Sequence, residues 1–376
     1  MRIAVIGGGP AGLFFALLMK RHDARIDVRV CEQNAADATY GWGVVFSDAA
    51  MSFLRDADPE FHAEFVVNHE HCRYMEIVHR GVHVQMQNNP FARAARIDLL
   101  QILHRHCRRA GVRLEFGCRI ETIETLGDAD LVVAADGVNS HVRKRYSEHF
   151  QPTVETPRNR FAWYGTRQLF HPLSLIFRET PQGVFIAHAY QYSPSLSTFL
   201  VEVDPETWVR ASLDRMSDAD SRRFLAAVFE PELGGNPLLS NRSNWFRANI
   251  VRNARWSYRN VVLLGDALRT VHFSLGSGTR MAMQDAIALH RAVVAHGHDL
   301  DAAFAQFEAT RAAESTDFQA AAAKSIAWYE HVSERMHLHP VAFACDYMCR
   351  TGRVTLEELR RRDPHLIEAL DRLTQR

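Results

Sequence analysis

"RIAVIGGGPAGLFFALLMKRH" (residues 2–22), followed by "DVRVCE" (27–32), decides the fold of this chain. An apolar strand runs into the turn "GGGPAG", the turn opens a segment with an apolar helical face, and a second strand ends on an acid. This reads as one βαβ unit. Gly7, Gly9 and Gly12 take the spacing Gly-x-Gly-x-x-Gly between strand and helix, and Glu32 follows about 20 residues later. Glycines in that context let the backbone approach a pyrophosphate at the helix N-terminus, and the acid can accept hydrogen bonds from an adenosine ribose. Glu32 would repel a ribose 2′-phosphate, so NAD or FAD is the expected ligand. Glycines and Pro10 interrupt the apolar run, which therefore reads as strand, turn and helix and not as a signal peptide. No run approaches the roughly 18 apolar residues of a membrane helix.

Outward from that unit, "DLVVAADG" (130–137) and "VVLLGD" (261–266) are further buried strands, each halting at an acid beside a glycine. "RIDLLQILHRHCRRA" (96–110) has helical spacing and Gly111 as a stop signal. Residues 157–203 alternate in the β manner, in "RFAWYGTRQLF", "LSLIFRET", "GVFIAHAYQYS" and "STFLVEV". The expected fold class is α/β: a discontinuous Rossmann-like dinucleotide domain (1–72, 91–155, 257–300), an inserted antiparallel β-sheet substrate domain (73–90, 156–256) and a helical C-terminal region (301–376).

The chain has 376 residues, and 44 Lys+Arg balance 44 Asp+Glu, so neither nucleic acid nor a membrane is an expected partner; small molecules are. Six cysteines form no CxxC pair, which suggests reduced thiols and a cytoplasmic location. The histidine pairs His69/His71, His104/His106 and His337/His339 lack the acidic and cysteine neighbours of a metal site, so no metal is expected.

"GGGPAG", "AADGVNSHVR" (134–143) and "LLGDA" (263–267), in that order, resemble the single-component FAD-dependent aromatic hydroxylases with the para-hydroxybenzoate hydroxylase fold. The resemblance implies FAD against Gly7, Gly9, Pro10, Ala11 and Gly12, with Glu32 and Gln33 at the adenosine. It further implies Gly43 and Val44 among the cofactor-binding residues, Arg96 and Asp136-Gly137 along the phosphates, and Asp266 on the ribitol. Gly276, Ser277, Gly278 and Thr279 would bring backbone N–H groups to the flavin pyrimidine. "YGWGVVFSD" (40–48), "NRFAWYGTRQLF" (159–170), "FIAHAYQYS" (185–193) and "HFSLGSGTRMAMQDAI" (272–287) are similar to the subgroup with salicylyl-CoA 5-hydroxylase, 2-aminobenzoyl-CoA monooxygenase and the violacein-pathway hydroxylase. The chain departs from the broad family where Leu268 and Arg269 follow the GDA and where His272-Phe273 replace a proline pair. The 2-aminobenzoyl-CoA enzyme has a further reductase-like half for which this length leaves no room, so hydroxylation without ring reduction is expected.

The implied activity is hydroxylation of an ortho-hydroxy- or ortho-amino-benzoyl-CoA at ring C5 through a C4a-hydroperoxyflavin, with NADH or NADPH as transient reductant and O2 as cosubstrate. Candidate residues for drawing a proton from the ring substituent are His272, His188, Tyr190 and Tyr164. "LRRRDPH" (359–365), with Arg350 and Arg353, is a cationic cluster suited to CoA phosphates. Hydroxylation of a free indole or other aromatic metabolite, a non-catalytic flavin redox sensor, a halogenase and an NAD-dependent dehydrogenase are the alternatives. Sequence does not set the oligomeric state.

Overall fold

The computed structural model describes residues 1–38, 42–67 and 70–375. Tyr40, Gly41 and His69, each part of a motif or pair noted above, lie outside the described residues, as does the side chain of His71. The α/β part is a six-stranded sheet in the order Ser257–Tyr258, Val261–Leu263, Leu131–Ala134, Arg2–Ile6, Asp27–Glu32, Arg113–Phe116. All neighbours are parallel except the short edge pair. Val5, Val133 and Val262 are fully buried, as continuous apolar strands covered on both faces must be.

Register sets the site. Ile6 lies beside Cys31 on one side and Ala134 on the other, and Leu263 lies beside Ala134. Gly7, Asp136 and Asp266, each just beyond its strand, therefore emerge along one edge. Strand order reverses about Arg2–Ile6, and open α/β sheets bind ligands in the crevice at such a reversal. Behind the crevice the helix Pro10–His22 buries Leu13, Phe14, Phe15 and Leu17 completely, each worth about 1.5–3 kcal/mol when removed from water. The helix Arg96–Ala110 ends at Gly111, whose φ of 88° is the left-handed stop expected of it.

The second sheet has seven strands in the order Leu238–Leu239, Arg160–Thr166, Leu196–Val203, Gly183–Ser193, Leu173–Thr180, Met75–His79, Val82–Met86. It is antiparallel apart from the pair Leu173–Thr180 with Met75–His79. Alternation gives it two distinct faces. Tyr164, Phe199, Val201, Ala187 and Ala189 pack against Leu225 and Phe229 of the segment that follows the sheet. On the other face, Ile77, Leu175, Phe177 and Ile186 are capped by Trp328, Tyr329, Phe343 and Tyr347 of the C-terminal helices. The rest of that second face, with Phe161, Leu200, Glu202, His188 and Tyr190, turns toward the crevice. Among the described residues no helix is long and apolar enough to cross a membrane.

Candidate active site

The crevice begins at the glycine turn, where each glycine does a different job. A Cβ on Gly12 would come within 2.4 Å of the Gly7 carbonyl oxygen, so this glycine brings helix and strand together. A Cβ on Gly9 would meet nothing within 4 Å: the space above it is open. The helix Pro10–His22 starts at Gly9 without a side-chain cap, which leaves its first N–H groups for an anion. Glu32 accepts from the Gly8 N–H at 2.7 Å and from Asn34 N and Nδ2 at 2.8 and 2.7 Å, so its carboxylate is fixed at the turn, while Gln33 beside it is exposed.

Asp136 caps the next helix by accepting from His141 N at 2.7 Å, and its other carboxylate oxygen is buried with no partner. Gly137 has a φ of 79° and open space where a Cβ would point. Asp266 is exposed, but onto the crevice: enclosure by protein pushes its carboxyl up, and Arg96 followed by Arg143 opposes that. Enclosure likewise pushes the Arg96 guanidinium down, with Asp266 as the main opposing charge. The helix Gly278–His296 also starts without a side-chain cap, and Gly278 again faces open space. Open glycines, an orphaned carboxylate oxygen, two uncapped helix starts and an arginine facing an acid together fit a flavin dinucleotide laid along the crevice.

Gly43 and Val44 belong to the strand Gly43–Ser47, which pairs with Phe91–Ala95 just before Arg96. A Cβ on Gly43 would sit 2.7 Å from Tyr192 Cβ and 2.9 Å from Tyr190 Cε2, and one on Gly276 would sit 3.2 Å from Val45. Strand, Arg96 and the Gly276 turn therefore converge on one end of the crevice. The Tyr190 hydroxyl donates to the Gly43 carbonyl at 2.9 Å, and burial pushes its pKa up. Tyr190 is thus a strut that holds this wall, with its proton already committed.

His188 and His272 meet at the same end. Both rings pack on Phe273, with centroids 5.9 and 4.3 Å away. His188 Nε2 lies 3.0 Å from Glu202 Oε2, and Glu202, 1% exposed, accepts at its other oxygen from Asn159 Nδ2 at 2.7 Å. His272 Nδ1 accepts from the Ser274 N–H at 3.4 Å and meets the Ser274 hydroxyl at 2.9 Å. Ser274 Oγ bonds Ser325 Oγ at 2.9 Å, and Arg350 donates to Ser325 Oγ and to the Ser274 carbonyl, both at 3.0 Å. Burial drives the His272 pKa down to about 4, so the ring is neutral.

Tyr164 is a correction. It lies directly opposite Phe199, and Phe199 opposite Ala189, whereas His188 lies opposite Leu200. One residue of register puts Tyr164 on the far face, buried and its phenol pushed up in pKa by that burial. The arginine cluster also changes. Arg360 pairs with Asp371, Arg362 is held by Asn88 and Asn89, and Arg350 is turned inward. Arg353, stacked 4.0 Å from the Phe318 ring centroid, and Lys324 beside Gly352 are left as cations with no acidic partner among the described residues. Arg269, where the chain departs from the broad family, is spent internally: it and Arg311 both donate to the buried Asp285, at 2.6 and 2.7 Å. Sequence reasoning missed Glu202, Asn159 and Ser325 and assigned Arg350 to CoA phosphates instead of to Ser274 and Ser325; an acid inside the apolar strand "STFLVEV" was the one visible sign.

A family model described as "FAD binding domain" matches residues 1–320. The chain is 36% identical to a salicyloyl-CoA 5-hydroxylase of a Streptomyces species, over 99% of this chain and 73% of that protein. It is 40% identical to the 3-hydroxy-4-methyl-anthranilyl-[aryl-carrier protein] 5-monooxygenase of Streptosporangium sibiricum, over 80% and 82%. It is also 36% identical to the protodeoxyviolaceinate monooxygenase of Chromobacterium violaceum, over 93% and 94%. Among solved structures, 2-methyl-3-hydroxypyridine-5-carboxylic acid oxygenase superposes with a TM-score of 0.72 at 17% identity, covering 96% of each chain, which shows a shared fold.

Proposed function

This chain belongs to the FAD binding domain family and is a flavin-dependent aromatic monooxygenase; from that premise we propose that it hydroxylates an ortho-hydroxy- or ortho-amino-benzoyl thioester at ring C5. The observation that carries this reading is the pair of histidines on Phe273 at the end of the crevice where Arg96, Gly43 and Gly276 converge. The relatives named for a CoA thioester and for a carrier-protein thioester support the choice of substrate class.

FAD held in the crevice would carry electrons from NADH or NADPH to O2 and so activate it, and O2 would be the source of the oxygen atom that enters the ring. The protein's part is position, dryness and proton handling. The glycine turn, Asp136, Asp266 and the start of the helix Gly278–His296 would hold the cofactor's phosphates, ribitol and pyrimidine edge. Phe161, Phe273 and Tyr329 pack apolar rings around the histidines, a surround that would keep water from an aromatic ring held beside them. An ortho hydroxyl or amine enriches the carbon para to itself, which is C5, and enriches it further as its proton is drawn off. His188 is our candidate for accepting that proton, with His272 beside it on Phe273. Arg353 and Lys324 offer charge to the phosphates of a pantetheine carrier.

The test is NADH oxidation by the purified holoenzyme with salicyloyl-CoA and 2-aminobenzoyl-CoA, with product identified by mass and ring-proton NMR. Stimulated oxidation with matching 5-hydroxylated product is expected. Stimulation by a free indole and by neither thioester would favour the reading suggested by the violacein-pathway relative. A yellow protein that no aromatic stimulates would be a flavin-binding redox sensor. Neutralising Arg353 and Lys324 together should raise KM for the CoA ester and leave kcat little changed.

A further inference from the structure

His188 and His272 share one place but are wired in opposite senses. In His188, Nε2 faces the Glu202 carboxylate at 3.0 Å. A carboxylate only accepts, so Nε2 carries a proton, which in the neutral imidazole leaves Nδ1 as the acceptor. Nδ1 has no partner among the described residues, and the ring keeps some exposure, 8% for the residue. Asn159 donates to the second Glu202 oxygen at 2.7 Å, so the carboxylate cannot turn away. In His272, the Ser274 backbone N–H can only donate, so Nδ1 is the acceptor. The neutral ring then has its proton on Nε2, and that nitrogen too has no protein partner among the described residues.

We propose that this pair reads an ortho-substituted aryl carbonyl: His188 Nδ1 accepts the hydrogen of the ortho hydroxyl or amine, and His272 Nε2–H donates to the neighbouring carbonyl oxygen. Glu202 and Asn159 act as positioning residues for the first ring, and Ser274, Ser325 and Arg350 for the second. The inference rests on the substrate class proposed above and deepens it, because it assigns the selecting atoms. An ortho-hydroxybenzoyl group presents a donor next to an acceptor, the complement of what the two rings offer. An ortho-methoxy group presents two acceptors, which leaves His188 Nδ1 facing a lone pair. As the ring is attacked, the hydroxyl proton passes to His188 Nδ1 and the O–H bonding pair stays on oxygen, which raises electron density at C5.

Binding to the holoenzyme, followed by the change in flavin absorption, tests the pair without turnover. Salicylamide should bind about 10- to 100-fold more tightly than 2-methoxybenzamide, as expected for one buried acceptor left unsatisfied. In Glu202→Gln the new amide can donate to Nε2 and move the imidazole proton to Nδ1, so the preference should collapse toward one, while Glu202→Asp should retain it. His272→Gln keeps an N–H near the position of Nε2–H and should hold both probes better than His272→Leu. ¹⁵N shifts of the histidine rings, assigned by loss in His188→Gln and His272→Gln, should report protonated Nε2 in both. Equal binding of the two probes by the wild type, an unchanged ratio in Glu202→Gln, or an Nδ1–H form of either ring overturns the proposal. Retained preference for salicylamide with no turnover of either thioester would sink the thioester reading alone and leave the pair standing.

Discussion

His272 keeps its ring neutral at pH values where an exposed histidine takes up a proton, and that has a thermodynamic signature. The unfolded chain titrates this residue near 6.5, whereas burial holds it at about 4 in the folded protein. Above 6.5 neither state is protonated and the contribution is constant. As pH falls below 6.5 the unfolded chain gains a proton that the native state refuses, so stability is lost progressively down to the folded value. At pH 5 the loss from this residue is about 2 kcal/mol. His272→Gln does not titrate, so urea unfolding at pH 7 and pH 5 should show the wild type losing about that much more than the variant; equal losses would refute the buried, neutral ring. Residue identity alone points to His272 and His188 as candidates, and it points equally to Tyr164. What separates them is strand register, which depends on which residue of Leu196–Val203 faces which residue of Arg160–Thr166. One strand's own pattern holds no information about that pairing.

At the scale of the element, the strand–turn–helix unit divides its labour between glycines that look alike in the sequence. Gly9 has a φ of −77°, open to any residue, and open space above it, whereas Gly12 touches the turn behind it. Gly9→Ala should therefore leave the stability of the cofactor-free protein within about 0.5 kcal/mol of wild type, since no packed atom is displaced. It should still weaken FAD binding, because its methyl occupies the phosphate space. Gly12→Ala should destabilise the cofactor-free protein by about 1–3 kcal/mol, as overpacking does, and lose FAD with it. Thermal unfolding with and without FAD, and quenching of flavin fluorescence, separate the two outcomes; equal destabilisation by both would remove the distinction. This unit was legible from sequence because strand, turn, helix and acid are local and each has its own periodicity. The same holds for the halts at Asp136-Gly137 and Gly265-Asp266. The carboxylate–histidine pair was not legible, because Glu202 reaches His188 only through the hairpin that sets their strands side by side.

At the scale of the whole molecule there are three apolar cores, one in the α/β part and one on each face of the large sheet. The sheet face that carries His188 is shared, with half of it serving the crevice and half buried under the C-terminal helices. That sharing ties the far end of the chain to the site. Arg350 follows the helix Pro340–Cys349, stacks 3.8 Å from the Tyr347 ring centroid, and donates to the Ser274 carbonyl and Ser325 hydroxyl that fix His272. No local pattern announces this, since Ser274 and Arg350 are 76 positions apart. Arg350→Leu leaves the stacking volume but removes every donor, so the Ser274 carbonyl and the Ser325 hydroxyl each lose a partner, at about 1–3 kcal/mol of stability. The larger effect falls on catalysis. A ring displaced by about 1 Å can cost on the order of 100-fold in rate without touching the reacting atoms. The variant should bind FAD as wild type does and consume NADH, yet form much less hydroxylated product per NADH and release the balance as hydrogen peroxide. Peroxide and product measured in the same reaction decide it: coupling equal to wild type would mean that the C-terminal region only covers the sheet and does not set His272.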